Sequence, residues 1–508
     1  MPCRMSGDRR VDERIVVSAA SGHVVAIALP YRPLIDALPY FADRYAGDIA
    51  YLHSVGPAIT PAFGDRPSAR ARYSLIGVRA YRISADCECS ENCAVLAGAT
   101  PAGAIGYHGY DDGISRWAWF DMWLVEDHRD LTMHAVAMGR LADADTQIEE
   151  LKAAWALSSS VIDCGTIDDG TIGGGTIDCG TMLHDAERDM ARDAVHDAEF
   201  HADQSRDSYV EAVRRMQRHM RDGDIYVANM SMRFTVHSDI TPINVFRRLY
   251  ADNPSPYAAY LDFGDRVIVS SSPERFFSIW DGRVVTEPIK GTRPRGATAA
   301  EDAELRADLR GSNKERSELL MVTDLERNDM NRICVPGSVC VPEFEVIRAF
   351  PHVFHTVSVV EGRLRAGMTV SEALRMMSPG GSITGTPKRR AMEIIAECER
   401  SPRDAYTGGL GYVGADPGVW LRMGGLPSGR LDHGSQPVCG LRPVCDLSII
   451  IRAAICQMGR PVGTGRFDYL VGAGGGVTLD SDPEAEYDEA VHKARAVLEA
   501  LGVRGGER

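Results

Sequence analysis

The chain has 508 residues, of which 44% are hydrophobic and 25% charged. That is an ordinary globular mixture, long enough for one large enzyme or two domains with a substantial core. A formal net charge of −15 excludes general nucleic-acid binding, which needs a basic face; an anionic substrate would need cations or a metal clustered locally.

Three regions follow in chain order: 1–157, 158–200 and 201–508. The segment from Met1 to Arg14 is polar and lacks a signal-peptide core, and no apolar run is long enough for a bilayer, so a cytoplasmic protein is expected. The twelve cysteines show no disulfide-domain spacing. Cys87-x-Cys89 and Cys93 have no nearby partners for a closed four-ligand zinc site and read as free thiols. Strand-like runs at Val24–Leu29, Tyr73–Val78 and Met122–Val125 alternate with Gly/Pro breaks. From about Ser158 to Glu199 the composition changes. Gly-Thr-Ile recurs at Gly165, Gly170 and Gly175, with too few large apolar groups to bury much surface, as in a linker or insertion.

The third region opens with a helix. Ser208 and Glu211 have the spacing of a capping box, Tyr209, Ala212, Val213, Met216 and Met220 share a face, and Gly223 ends it. A strand is expected over Ile225–Val236. Ser312 and Glu315 form a second capping-box pattern, which puts Glu318 early in the second turn of a helix. Between Gly414 and Asp446 a Gly/Pro-rich stretch reads as an extended loop or hairpin. A last helix is expected from Asp482, with Pro483 at its first position and Tyr487, Val491, Ala494 and Leu498 facing inward.

Four constellations carry chemistry. Ser270-Ser-Ser-Pro-Glu-Arg275 and Pro288-Ile-Lys-Gly-Thr-Arg-Pro-Arg295 would put the Glu274 carboxylate and the Lys290 amine at the ends of neighbouring strands. A lysine among apolar residues beside a glycine is a candidate nucleophile, because desolvation favours the free amine; a solvated edge charge is the alternative. Glu318 on one helix, with Glu486, Glu489 and Lys493 on one face of another, offers hard oxygen ligands suited to Mg²⁺; solvated helix faces are the alternative. Asp324-Leu-Glu-Arg-Asn-Asp329 follows Glu318. The loops Gly380–Lys388 and Gly472–Gly476 can present backbone amides to carboxylates, and neither has a nucleotide-binding fingerprint.

These motifs, in this order, resemble the chorismate-binding enzymes, the family of anthranilate synthase component I, aminodeoxychorismate synthase component I, and the isochorismate and salicylate synthases. The likeness runs through Gly223–Tyr226, the segments around Glu274 and Lys290, Asp324–Asp329, His355-Thr-Val, Gly380–Arg390, Tyr406–Tyr412, Ile449–Arg452 and Gly472–Glu489. It extends to Ala104–Tyr110 and Val125–Arg129 in the first region. The resemblance implies an α+β fold: large antiparallel β-sheets packed as a sandwich with helices outside. It implies that Glu318 and Glu489, with Glu486 close by, bind Mg²⁺, which holds the ring carboxylate of chorismate. Tyr406, Arg452 and the amides of Gly472 and Gly474 would meet the enolpyruvyl carboxylate. Gly291, Thr292 and Lys493 would lie near the ring carboxylate, with Thr384 also in the substrate site. Glu274 would be the general acid/base and His355 would stand beside the ring.

Within the family, Pro-Ile-Lys290-Gly-Thr is the aminodeoxychorismate form, and anthranilate synthases carry alanine at the lysine. The resemblance therefore implies 4-amination of chorismate through a covalent lysine intermediate. Val227 departs from the pattern: water-adding members have lysine there and aminating members usually glutamine. Thr386, where relatives often have alanine, is a milder departure. Ortho amination, giving anthranilate or 2-amino-2-deoxyisochorismate, and a catalytically inactive binding subunit are the alternatives. No cysteine has the Gly-flanked setting of a glutaminase nucleophile, so a separate glutamine amidotransferase subunit is expected to supply ammonia.

Overall fold

A computed structural model describes residues 14–19, 22–58, 71–87, 103–111, 113–128, 130–160, 198–349, 353–414, 444–462 and 465–503. Cys89, Cys93, Arg129, the Gly-Thr-Ile repeat and most of the stretch between Gly414 and Asp446 lie outside them.

Among the described residues, 21 strands join in one hydrogen-bonded network, and its pairings run antiparallel. The network crosses from the first region into the third. The strand Ile49–Ala58 pairs with Tyr257–Asp262, and Gly103–His108 pairs with Gly409–Gly414.

Alternation along the strands shows why the sheet folds into layers. Val267 and Val269 face one buried cluster and Ile268 the other; Cys456 and Ile455 divide the same way. Successive side chains point to opposite faces of a strand, so each such strand packs one face on helices and the other on strands. The helix-facing cluster takes Leu34, Leu38 and Phe41 from one helix, Tyr209, Val213 and Met216 from another, and Ala494, Val497 and Leu498 from the last. The inner cluster is built from Tyr73, Leu75, Phe120, Trp123, Leu261 and Tyr412. A third packs the helices Asn313–Ile333 and Val370–Met377 against the strands Arg275–Trp280 and Val353–Arg363. This is the expected α+β sandwich. No helix among the described residues is long and apolar enough to cross a membrane.

The expected elements fall close to their places, with corrections in detail. The first helix of the third region spans Arg206–Arg221, and its N-cap is Ser205, whose side chain accepts the Ser208 N–H; Ser208 lies inside the first turn. Tyr209 is fully buried, and packing this first turn on the core draws the helix start forward. Ser312 caps the helix Asn313–Ile333 as expected by accepting the Glu315 N–H, but the Glu315 side chain turns to Arg293 at 2.7 Å. The C-terminal helix Pro483–Ala500 is capped by Asp482 with Pro483 leading. Its buried apolar residues are Ala490, Ala494, Val497, Leu498 and Ala500, with Tyr487 and Val491 partly buried against the same core.

Candidate active site

The expected loop at Gly472–Gly476 is instead the glycine-rich end of the strand Arg466–Val477, and it forms the floor of the site. Arg466–Val477 pairs with Val227–Ser238, setting Gly472 opposite Arg233, Gly474 opposite Ser231 and Gly476 opposite Asn229. The alternate glycines share a face, and other groups occupy the space their side chains would fill. A Cβ on Gly472 would overlap the Tyr406 ring, and one on Gly476 would lie 3.4 Å from Lys290 Nζ. Gly475 points the other way. A Cβ there would lie 3.2 Å from Glu486 Oε2, 3.4 Å from Lys493 Nζ and 3.5 Å from Glu489 Oε1. The C-terminal helix thus brings two carboxylates and an ammonium to the back of the strand that Lys290 and Tyr406 approach from the front.

Lys290 reaches this floor from the strand Ile289–Pro294. That strand pairs with Val353–Arg363, matching Lys290 to Thr356 and Thr292 to His355. Gly291 is the unmatched residue between them. Its φ of +80° is the left-handed conformation that glycine adopts without strain, and the resulting bulge re-aims the neighbouring side chains. Lys290 lines a small cavity with Val227, Asn229, Ser382, Thr384 and Gly476. Thr384 is held there by its hydroxyl, which donates to Gly380 O at 2.8 Å, while its own carbonyl accepts the Asn229 N–H at 2.7 Å.

Glu274 lies just before the strand Arg275–Trp280, only 8% exposed. Burial raises the pKa of its carboxyl, opposed by a hydrogen bond from the Ser382 side chain and by the charges of Lys290 and Lys493. A buried carboxyl whose protonated form is favoured, beside an amine, is an arrangement suited to acid/base chemistry. His355 donates or accepts at Thr292 Oγ1 across 3.0 Å. Burial holds its pKa down to about 4, so the imidazole is neutral at physiological pH.

Arg452 is half-buried, its backbone at φ +51°. Its guanidinium donates to Lys493 O at 2.9 Å. Burial lowers its pKa against the opposing pull of Tyr406 and Glu489. The Tyr406 hydroxyl is pushed up to about 12 by burial, with Arg403 opposing, and stays protonated. Lys493 donates to Gly474 O at 2.9 Å and pairs with Glu489 at 2.6 Å.

The carboxylates show whether the residues suit a metal. Burial raises the pKa of Glu318; Lys290 and Lys314 oppose it and Glu489 adds to it. Glu486 is raised by burial and by Glu489, with Ser481 opposing. Burial would raise Glu489 too, but Lys493 outweighs it and the net shift is downward. Glu489 therefore acts on the acids of both helices, Glu318 on one and Glu486 on its own. Among the described residues no three His, Cys, Asp or Glu side chains are close enough to hold a metal by themselves. The donor set fits Mg²⁺, which takes one or two carboxylates and fills its remaining positions with water and substrate oxygens.

Several residues that build the site carry no motif of their own. Ser382 bonds Glu274, and Asn229 and Met321 line the Lys290 cavity. Arg403 donates to Ile383 O at 2.7 Å and Asn229 O at 2.8 Å and pairs with Glu399 at 2.6 Å. The Glu399–Arg403 spacing of i, i+4 was the available signal, but such pairs are usually exposed and weak.

The sequence profile of the chorismate binding enzymes matches residues 115–430 and 438–499. The chain belongs to this family. It is 39% identical over 304 residues to anthranilate synthase component 1 of Thermus thermophilus, covering 60% of this chain and 58% of that one. It is 38% identical over 300 residues to aminodeoxychorismate synthase component 1 of Klebsiella aerogenes, covering 59% of each. The matches thus span about 60% of the length of these curated relatives. The crystal structure of anthranilate synthase component I from Streptococcus pneumoniae superposes with a TM-score of 0.58 at 25% identity, covering 86% of this chain and 95% of that one. The menaquinone-specific isochorismate synthase of Escherichia coli shares the fold, with a TM-score of 0.65 at 14% identity and 97% of each chain covered.

Proposed function

We propose that this chorismate-binding enzyme is the synthase component of aminodeoxychorismate synthase. It would convert chorismate and ammonia, delivered by a glutamine amidotransferase partner, to 4-amino-4-deoxychorismate. The observation that carries the reading is the Lys290 amine over the glycine floor, in one cavity with Ser382, the partner of the buried Glu274.

The chain's groups divide the work. Arg452, the Tyr406 hydroxyl and the amides of Gly472 and Gly474 take the enolpyruvyl carboxylate; Lys493, Gly291 and Thr292 lie toward the ring carboxylate. Mg²⁺, held by Glu318 and Glu489 with Glu486 adjacent, would neutralise and orient that ring carboxylate. The Lys290 Nζ lone pair attacks C2, both ring double bonds shift (C1=C2 to C1=C6 and C5=C6 to C4=C5), and the C4 oxygen leaves as water with the proton of Glu274. Ammonia then adds at C4, both double bonds shift back, and the C2–N bond breaks. A proton passes from the incoming nitrogen to the leaving lysine, and Glu274 regains its proton from the lysine ammonium formed in the first step. One hard substitution becomes two allylic displacements. His355, neutral, bounds the ring and adds no charge.

Ortho amination is the second reading. It is favoured by Val227 in the nucleophile cavity and by the relatives named anthranilate synthase component 1. Incubating the protein with chorismate, Mg²⁺ and ammonium and identifying the product separates the two. A 4-amino product that a lyase converts to 4-aminobenzoate supports the first reading, and anthranilate or a 2-amino product overturns it.

A further inference from the structure

The Asp324–Asp329 motif holds a carboxyl that the reaction above does not use. Glu326 lies on the helix Asn313–Ile333 and is 3% exposed. Its side chain points into the turn that carries Ser382. Oε1 accepts the Gly381 N–H at 3.1 Å, and the carboxyl also accepts the Ser382 backbone N–H. Oε2 lies 3.4 Å from Thr286 Oγ1, and that hydroxyl donates to Phe276 O at 2.8 Å. A hydroxyl has one proton to give. With it committed to Phe276, the Thr286–Glu326 contact is a hydrogen bond when the carboxyl itself carries a proton.

The charges around Glu326 agree with that bookkeeping. Asp329 faces it from the next turn of the same helix, Lys388 from the helix Lys388–Cys398, and Glu274 from the segment before Arg275. An ammonium has three protons to donate, and Lys388 places them on Asp329 at 2.5 Å, Met377 O at 3.3 Å and Pro379 O at 2.7 Å. No lysine proton is left for Glu326. Burial first, and then Asp329, push its pKa up to about 8.

We propose that Glu326 is a positioning residue for Glu274: as a neutral acid it clamps the Gly381–Ser382 turn so that the Ser382 hydroxyl is held against the Glu274 carboxyl. The neutral form also keeps a second negative charge away from Glu274 while Glu274 cycles its proton. This rests on the reading that Glu274 is the proton donor for the C4 leaving group. In that role Glu274 works protonated, so activity falls on the high-pH side of the profile, the alkaline limb, as it ionises. The Ser382 bond favours the ionised form; losing it raises the pKa and carries the alkaline limb upward.

The test is chorismate consumption against pH, with Mg²⁺ and ammonium, for wild type, E326Q, E326L and S382A. Gln keeps an acceptor for the turn and a donor for Thr286, so E326Q should stay within about twofold of wild type in kcat with an unmoved alkaline limb. E326L and S382A should each lose about tenfold in kcat, change KM little, and shift the limb upward by about one pH unit. An E326Q as impaired as E326L would overturn the neutral role. An E326L or S382A whose limb stays in place would overturn the positioning role, whatever its rate. Should E326L fail to fold by circular dichroism, S382A, which leaves Glu326 untouched, decides alone.

A wild type that leaves chorismate unchanged would sink the proposed reaction instead. Infrared difference spectra of wild type against E326Q then read the inference separately. A protonated-carboxyl band at pH 7 present in wild type and lost in E326Q upholds the neutral acid, and its absence from wild type overturns it.

Discussion

Replacing Arg403 by methionine should cost about 3–5 kcal/mol of stability, the range for breaking a buried ion pair from one side. The Arg403 side chain is 2% exposed and its partner Glu399 7%. The guanidinium gives three bonds to Glu399, at 2.6, 2.9 and 3.2 Å, and one each to Ile383 O and Asn229 O. Its plane also lies over the Tyr110 ring, 4.5 Å from the centroid. In R403M the carboxylate of Glu399 keeps the Ser231 N–H at 2.8 Å and hydroxyl at 2.7 Å, which holds the cost below that of a fully orphaned charge, but two buried carbonyls lose their donor. R403K keeps the charge and loses the planar fork, so about half of the penalty should remain. The double variant E399Q/R403M, with no buried charge left, should recover about 1–3 kcal/mol over R403M alone. Guanidinium unfolding at pH 7 measures all four proteins. An R403M within about 1 kcal/mol of wild type would refute the reasoning, because it would mean that the pair is not closed off from water. Asn229 lines the Lys290 cavity and Ile383 lies between its lining residues Ser382 and Thr384, so R403K, the milder variant, should also raise KM for chorismate.

Three further outcomes follow from the same geometry. G472A puts a methyl group into the Tyr406 ring; KM for chorismate should rise about ten- to a hundredfold with the circular dichroism spectrum unchanged, since a displacement of about 1 Å at a positioning group has effects of that size. His355 is buried with a pKa of about 4 against an ordinary 6.5. Between those values the unfolded chain takes up a proton that the folded protein refuses. Stability from this residue is full above pH 6.5 and is lost as pH falls toward 4, by about 3 kcal/mol in all. H355N should therefore show a flatter loss of stability over that window than wild type, read by denaturant midpoints at several pH values; parallel curves would count against a buried neutral imidazole. Chelation with EDTA should reduce chorismate turnover at least about a hundredfold, in line with the several kcal/mol a Lewis acid supplies. Mg²⁺ should restore it in wild type and not in the E318A/E489A double variant.

The parts of the fold that local chemistry decides could be read from the sequence. Ser312 and Asp482 cap their helices because a short oxygen side chain next to an apolar-periodic run leaves few other conformations. The glycines at 472–476 read as a loop but end the strand Arg466–Val477, because close neighbours such as the Tyr406 ring, and not a turn, exclude side chains there; Lys290-Gly291 was legible as an amine beside a flexible residue. Tertiary contacts decided what was missed. Ser205 and Ser208 are three residues apart and both can cap; burial of Tyr209 selects the first. Glu315 has the spacing to return to its own cap, but Arg293 from a neighbouring strand offers a charge-assisted bond instead. Glu399 and Arg403 look like a surface pair until the strand Val227–Ser238 and the Ile383 turn close over them. Ser382 and Glu326 sit in motifs shared with their neighbours, and only the folded chain brings their side chains to Glu274.

The lysine intermediate can be measured directly. Wild type and K290A would be incubated with chorismate and Mg²⁺ without ammonia, quenched, and weighed intact, with peptide mapping of any adduct. Wild type should gain the mass of chorismate less one water, on Lys290, and release 4-amino-4-deoxychorismate when ammonium is added. K290A should gain nothing and make no 4-amino product. No adduct on wild type, together with K290A turning chorismate and ammonium into anthranilate at the wild-type rate, would contradict covalent catalysis by Lys290 and the 4-amination built on it.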